Sequence, residues 1–355
     1  MDPAALRAHF PVLRTKAYLN AGTCGPLPEA SVQAAAAAAR AAADEGRIRP
    51  RWEQLLATRS AIRAAYAERL RARPEDVALT SSTSDGVARV VIALGVGAGD
   101  EIVTSDSEHP ALCGPLIAAR ARGATIRAVP LADVRDAVGP RTRLVACSHV
   151  DWTTGAVAPD LGGLDVPVLL DGAQGIGAID VDVTALGCAF YAGAGQKWLC
   201  GPEGTGMLWV SPAWRERLAP PGPGYLNLVE PGAGLDTEPW PDARAHDAPG
   251  IPLEAWAAAL AAHDVLAGFG WPDLYARATG LAAVLATELR ERGRTLAPRG
   301  PTTLVTWETP GSEELPERLA EQGIVVRNLP GTRYVRASVG AWNDESDLER
   351  LLGAI

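Results

Sequence analysis

The sequence predicts an α/β protein, with a large, mostly parallel sheet and a smaller α+β region in its C-terminal part. Three observations predict it. Short apolar runs alternate with helix-length segments between residues 76 and 210, the pattern of repeated β-α units. One of those runs, Val168-Leu169-Leu170, ends abruptly in Asp171, as a buried parallel strand does where it opens into a ligand crevice. A chain of 355 residues is also too long for one small core, which favours one large domain and one smaller one.

Residues 1–15 read as a short helix with a turn at Pro11. Tyr18-Leu19-Asn20-Ala21-Gly22-Thr23 follows as an extended segment, stopped by Gly25-Pro26 and Pro28. An alanine-rich helix is expected at about 29–45 and an amphipathic one at about 52–72, closed before Pro74. A strand over 76–80 then runs into Ser81-Ser82-Thr83-Ser84-Asp85-Gly86 and an apolar helix ending near Leu94. Hydroxyls at a helix start either cap the helix or join its free amides in holding an anion. Further strands are expected at 101–104, 125–129, 142–147, 168–171, 188–192 and 207–210. Residues 219–252, rich in Pro and Gly, form the least regular stretch. Helices over 252–268 and 272–292 lead to strands near 302–307, 324–327 and 334–338, and Asp344 opens a last helix.

Composition narrows the function. A net charge of −9 disfavours nucleic acid and anionic membrane surfaces as partners. No apolar run approaches the length of a membrane span, and no charged-then-apolar leader opens the sequence. The five cysteines are widely spaced without a Cys-x-x-Cys pair, so they are expected as reduced thiols in a cytoplasmic protein, with no metal site.

Chemistry concentrates in Asp171-Gly172-Ala173-Gln174 and in Ala194-Gly195-Gln196-Lys197-Trp198. The chain has only two lysines, Lys16 and Lys197, and uses arginine elsewhere for positive charge. Keeping lysine at 197 suggests amine chemistry that a guanidinium cannot supply, although an ordinary surface cation fits equally well. Arg336 lies inside a short apolar strand. Burying it unpaired is costly, so it is expected to meet an anion, either a core acid or a bound carboxylate.

Together, Asp-Gly-Ala-Gln and Lys-Trp-Leu-Cys-Gly-Pro-Glu-Gly-Thr-Gly resemble the core of class V aminotransferases, the cysteine desulfurase-like branch of fold-type I pyridoxal phosphate (PLP) enzymes. The resemblance covers residues 18–350. It implies a large PLP-binding domain over 16–262, a small domain from 1–15 and 263–355, and a homodimer acting on a small amino-acid substrate. It implies that Lys197 carries the cofactor, that Asp171 pairs with the pyridinium nitrogen and that Gln174 meets the ring's 3-oxygen. His109, in Glu108-His109, would stack on the ring and move protons. Thr83 and Ser84 would hold the phosphate beside Gln196, although this chain has Ser82 and Asp85 where the family has glycine and glutamate. Arg336, in Arg-Ala-Ser, would bind the substrate α-carboxylate, with Asn20 and Trp152 near the substrate. Trp152 replaces the asparagine usual in desulfurases, and a purely structural tryptophan at the domain interface fits as well. The family's phosphate-binding threonine is missing from Arg244-Ala245-His246-Asp247-Ala248-Pro249.

Desulfurases use a loop cysteine between the last two motifs, and here residues 324–336 contain none. Gln-Lys-Trp-Leu, Ser-His-Val-x-Trp and Leu-Pro-Gly-Thr most resemble the C–S lyases of ergothioneine biosynthesis, with isopenicillin N epimerase-like enzymes close behind. The expectation is β-elimination from a cysteine conjugate or its sulfoxide, ahead of transamination or epimerisation. A non-catalytic PLP-fold protein would have no reason to keep Asp171, His109, Lys197 and Arg336 together. A nicotinamide dehydrogenase is disfavoured because no G-x-G-x-x-G opens a helix after the first strand.

Overall fold

The structure, a computed structural model, describes residues 1–355. A first helix, α1 (Pro3–Ala8), is capped by the Asp2 carboxylate, which accepts from the amides of Ala4 and Ala5. Strand β1 (Ala17–Tyr18) is followed by α2 (Glu29–Asp44) and α3 (Arg49–Arg69). Helix α3 starts and stops earlier than its apolar pattern suggested. Pro50 is accommodated in its first turn, where no amide is needed, and Arg71 closes its far end with φ of 53°.

The central sheet is built from β2 (Val77–Thr80), β3 (Glu101–Ser105), β4 (Thr125–Val129), β5 (Thr142–Ser148), β6 (Val168–Asp171), β7 (Phe190–Ala194) and β8 (Gly206–Val210). Its order is β2-β8-β7-β6-β5-β3-β4. Only β8 runs against its neighbours, since it returns from β7 as a hairpin and pairs antiparallel with both β7 and β2. All the other strands therefore end on one edge of the sheet. That pairing also moves β7 two residues beyond the expected stretch. Gly193 and Ala194 are recruited by Met207 and Gly206, a register that leaves no room for a Cβ at 193, which would lie 2.4 Å from the Met207 sulfur. Helices α4 (Thr83–Ala93) and α5 (Pro110–Ala121) pack on one face, their apolar sides joining Leu144, Leu169, Phe190 and Leu208 in one core cluster. The other face meets Ile62, Tyr66, Trp198 and Trp256.

Residues 219–252 contain only short 3₁₀ turns. The segment is nonetheless anchored. Buried Asp247 accepts from Arg59, from Arg63 and from the amide of Leu79, with distances of 2.6–2.9 Å. Two positive partners and one amide satisfy a carboxylate that would otherwise be expensive to bury. Helices α6 (Leu253–Ala267) and α7 (Trp271–Glu291) lead to the C-terminal part, where β9 (Leu304–Glu308), α8 (Leu315–Glu321), β10 (Ile324–Val325), β11 (Arg327–Asn328), β12 (Tyr334–Ser338) and α9 (Glu345–Ala354) follow.

The strand expected over 324–327 is two fragments because the chain changes partner at Val326. Strand β10 pairs with β1, whereas β11 pairs with β12, which in turn pairs with β9. Asn20 then bridges to Ser338. Residues 17–20 thus add to the C-terminal sheets, just past the expected boundary at 16. Arg7 completes the attachment by ion pairs to Asp347 and Asp344 of α9 and its cap. No helix is long and apolar enough to cross a membrane.

Candidate active site

One cavity of about 160 Å³ opens at the C-terminal edge of the central sheet. Its walls come from the segments that leave five strands of the sheet: Thr83 and Ser84 after β2, His109 after β3, Ser148 and Trp152 at and after β5, Asp171 and Gln174 at and after β6, and Gln196 and Lys197 after β7. A crevice outside strand ends is the common ligand position of open α/β sheets. Eight expected site residues therefore meet there: Thr83, Ser84, His109, Trp152, Asp171, Gln174, Gln196 and Lys197.

Asp171 ends β6 and is buried, with one oxygen accepting from the Ala173 amide at 2.9 Å. Burial raises its pKa, and the charge of Lys197 opposes that rise. Lys197 is pushed down to about 8, first by burial and further by Arg336 and Arg327, against the pull of Asp171. The two groups sense each other across the cavity but form no direct ion pair. Gln174 is clamped from both sides: its amide donates to the Gly22 carbonyl at 2.8 Å and its oxygen accepts from the Trp198 indole at 3.0 Å.

His109 fulfils two readings at once. It caps α5, with Nδ1 accepting from the Ala111 amide at 3.1 Å, and it still lines the cavity. Its ring meets Trp152 edge-on at 4.9 Å. The cap fixes the Nε2–H tautomer, and burial, with the nearby cations, lowers the pKa to about 4. The imidazole is therefore neutral at physiological pH.

Ser82 caps α4, accepting from the Asp85 amide at 3.1 Å. That leaves Thr83 and Ser84 in the first turn, where amides point outward and the helix dipole favours an anion. The Thr83 hydroxyl is buried without a partner, as is the Gln196 side-chain oxygen. Arg336 lies outside the cavity lining but adjoins it, donating to the Trp152 carbonyl at 2.5 Å. Its Nε and Nη2 and the Ser338 hydroxyl are buried and unpartnered, a free pair of donors beside Gly22, whose Cβ would come within 2.8 Å of Nη2. Asn20 stays at the edge, its side-chain oxygen accepting from Thr23.

These orphaned groups are what a phosphorylated pyridine with an amino-acid carboxylate would complete. Thr83, Ser84 and the α4 amides match a phosphate, Asp171 a ring nitrogen, Lys197 an aldehyde and Arg336 a carboxylate. Sequence reasoning missed Glu108, Ser148 and Arg327. Glu108 bonds Ser105 and both the amide and hydroxyl of Ser148, joining the ends of β3 and β5 beneath the site. Burial raises its pKa to about 7. Its place beside His109 was the one signal available.

The aminotransferase class-V family model matches residues 31–351. Isopenicillin N epimerase of Amycolatopsis lactamdurans is 35% identical, a match spanning 57% of this chain and a little over half (56%) of that protein. Its counterpart from Streptomyces clavuligerus is 28% identical over 96% of this chain and 94% of that one. Among solved structures, C-DES is similar in two forms, each at 27% identity. A mutant with glycine covalently linked to the PLP cofactor has a TM-score of 0.91 over 98% of both chains. The complex of this cystine C–S lyase with its product cysteine persulfide has a TM-score of 0.90, covering 97% of this chain and 98% of that one. The chain belongs to the aminotransferase class-V family, and its architecture is the fold-type I α/β fold of PLP enzymes.

Proposed function

We propose that this protein is a C–S lyase that catalyses β-elimination from a cysteine conjugate or its sulfoxide, with hercynylcysteine sulfoxide as the substrate suggested by the sequence resemblance. The cofactor is pyridoxal phosphate; Lys197, Asp171, Gln174, His109, Thr83, Ser84 and Gln196, which line the cavity, would hold it. When bound, it supplies an electron sink conjugated to the substrate Cα.

The chain's own residues supply the rest. Arg336 takes the α-carboxylate with the two nitrogens left free by Trp152. The Lys197 amine, with pKa near 8, has a populated neutral form at neutral pH and removes the Cα proton. Asp171 would hold positive charge at the ring nitrogen, and His109, with its pKa lowered to about 4, lines the cavity without adding a competing cation. Trp152 and His109 form the wall beside the reacting atoms. The Cβ–S bond breaks with its electron pair leaving on sulfur. A sulfoxide thus gives a sulfenate, while one water converts the three-carbon fragment to pyruvate and ammonia.

The observation that carries this reading is the missing thiol. The turn from β11 to β12 contains no cysteine, so nothing there can accept sulfur as a desulfurase would. Cys24 is the cysteine whose titration is coupled to Lys197, but burial and Glu203 raise its pKa and keep it a thiol. Epimerisation is the second reading, favoured by the full-length likeness to an isopenicillin N epimerase. It shares the Cα proton transfer but breaks no Cβ bond.

We further propose residues 16–262 as the large domain, 1–15 with 263–355 as the small one, and a homodimer in the cytoplasm. Support for a dimer is an apolar surface on α3 and the 219–252 segment, where Ile48, Trp52, Leu56, Tyr225, Val229 and Leu235 are exposed. The decisive assay measures pyruvate from S-alkylcysteine sulfoxides. Stoichiometric pyruvate is expected, falling at least ~10²-fold in Lys197→Ala. Inversion at Cα or amino transfer to a keto acid, without pyruvate, would replace the lyase reading.

A further inference from the structure

Tyr191 and His149 are buried behind the cavity, and neither lines it. Both are nevertheless tied to the turn that carries Asp171 and Gln174. Tyr191 lies on β7, across from Leu170 of β6. Its ring sits under the bend that follows β6: a Cβ at Gly172 would fall 2.0 Å from the ring carbon Cε1. A Cβ at Gly175 would fall 2.3 Å from the phenol oxygen and 2.7 Å from Nδ1 of His149. Two glycines thus bring the main chain directly onto the two side chains, and the Gly175 amide closes the turn over them by donating to the Gly172 carbonyl at 2.8 Å.

His149 follows β5 and braces the same turn from the other side. Its amide donates to the Asp171 carbonyl at 2.8 Å. Its Nδ1 lies 3.1 Å from the Tyr191 hydroxyl, and the two rings meet edge-on with centres 5.7 Å apart. Burial lowers the His149 pKa to about 4, so the imidazole is neutral at physiological pH. A buried hydroxyl needs an acceptor, and Nδ1 is the one within reach; the phenol therefore donates and the ring proton stays on Nε2. Asp171 is aimed by the same stretch of main chain, since one of its oxygens accepts from the Ala173 amide. The angle of the carboxylate follows the turn, and the turn follows the two rings beneath it.

We propose that Tyr191 and His149 are positioning residues: their hydrogen bond fixes the turn from Asp171 to Gly175 and so sets the angle at which the Asp171 carboxylate meets the ring nitrogen of the cofactor. The inference rests on the reading of Asp171 as the partner of that nitrogen. It is independent of which substrate bond is broken.

The test compares PLP with its 1-deaza analogue, in which carbon replaces the ring nitrogen, by fluorescence titration of the full-length protein freed of cofactor. Phosphate, aldehyde and ring hydroxyl are the same in both ligands, so the ratio of the two affinities reads the Asp171 contact alone. The unaltered protein is expected to favour PLP by roughly 10- to 100-fold, the worth of a charge-assisted hydrogen bond. Tyr191→Phe keeps the ring under the turn and removes only the hydroxyl; it should lower the ratio by roughly 3- to 10-fold. His149→Leu should lower it as much, whereas His149→Asn, which puts an amide oxygen near the place of Nδ1, should keep most of it. That pair carries the comparison if Tyr191→Phe does not fold. A ratio unchanged in Tyr191→Phe, or in His149→Leu, overturns the proposal even where melting temperature and both affinities fall, because a purely structural role weakens the two ligands alike. An unaltered protein that does not distinguish the ligands overturns the reading of Asp171 itself, and the positioning role with it.

Discussion

Glu108 carries a carboxyl that burial biases toward its protonated form, against the pull of the hydrogen bonds it accepts. Its carboxyl sits below the cavity, close enough to Asp171 to feel it, and accepts from Ser105 and Ser148. The unfolded carboxyl titrates near 4.5 and the folded one near 7. Between those values the native state keeps a proton that the unfolded chain has released, so this group makes stability fall as pH rises through that window. Glu108→Gln removes the titration. Urea unfolding should show the variant gaining on the parent by about 1–3 kcal/mol from pH 5 to pH 8. A difference independent of pH would mean that Glu108 is ionised in the folded protein. At this scale the sequence was legible where residue type alone implies chemistry. A scarce lysine and an aspartate at a strand end can be recognised without coordinates. Arg327 could not, because arginine is abundant here and only the register with Arg336 gives it meaning.

Elements were readable in kind but less so at their ends. Hydrophobic runs located each strand of the central sheet, whereas the limits of β7 depend on β8 and the split between β10 and β11 depends on two different partners. Those are tertiary decisions, and no local pattern encodes them. The segment from Leu19 to Gly25 makes the same point. The sequence shows it only as an extended segment stopped by Gly25-Pro26, yet the Gly25 amide donates to the Gln196 carbonyl at 2.7 Å, and a Cβ at Gly25 would fall 2.0 Å from the Lys197 carbonyl oxygen. Both neighbours are backbone and cannot swing aside. Gly25→Ala should therefore displace the Lys197 turn, costing about 1–3 kcal/mol by thermal unfolding and weakening PLP retention on dialysis. Unchanged melting and retention would show that the turn yields without cost.

For the whole molecule, the length leads to an expectation of two domains and leaves assembly open, since apolar residues that meet a partner look the same as any others in a string. Trp52 and Tyr225 meet edge-on across α3 and the irregular segment, at 5.8 Å between ring centres, and both are exposed. If this surface joins two copies, Trp52→Glu should weaken the dimer by about 2 kcal/mol or more, seen as monomer in sedimentation velocity at micromolar concentration. A parent protein that already sediments as a monomer would remove the dimer from the scheme.

The stretch from Ala17 to Gly25 is stitched to both halves of the molecule. On one side it joins Ile324, Val325 and Ser338, and on the other its Gly22 and Gly25 hold Gln174 and Gln196. Those nine residues are therefore one backbone path between the C-terminal strands and the loops that carry Gln174 and Gln196, so a shift at either end is passed to the other through main chain alone. Changes made there to improve expression or attach a label would disturb the core and the cavity wall together, since Ala17, Leu19 and Ala21 are buried in the same nine residues.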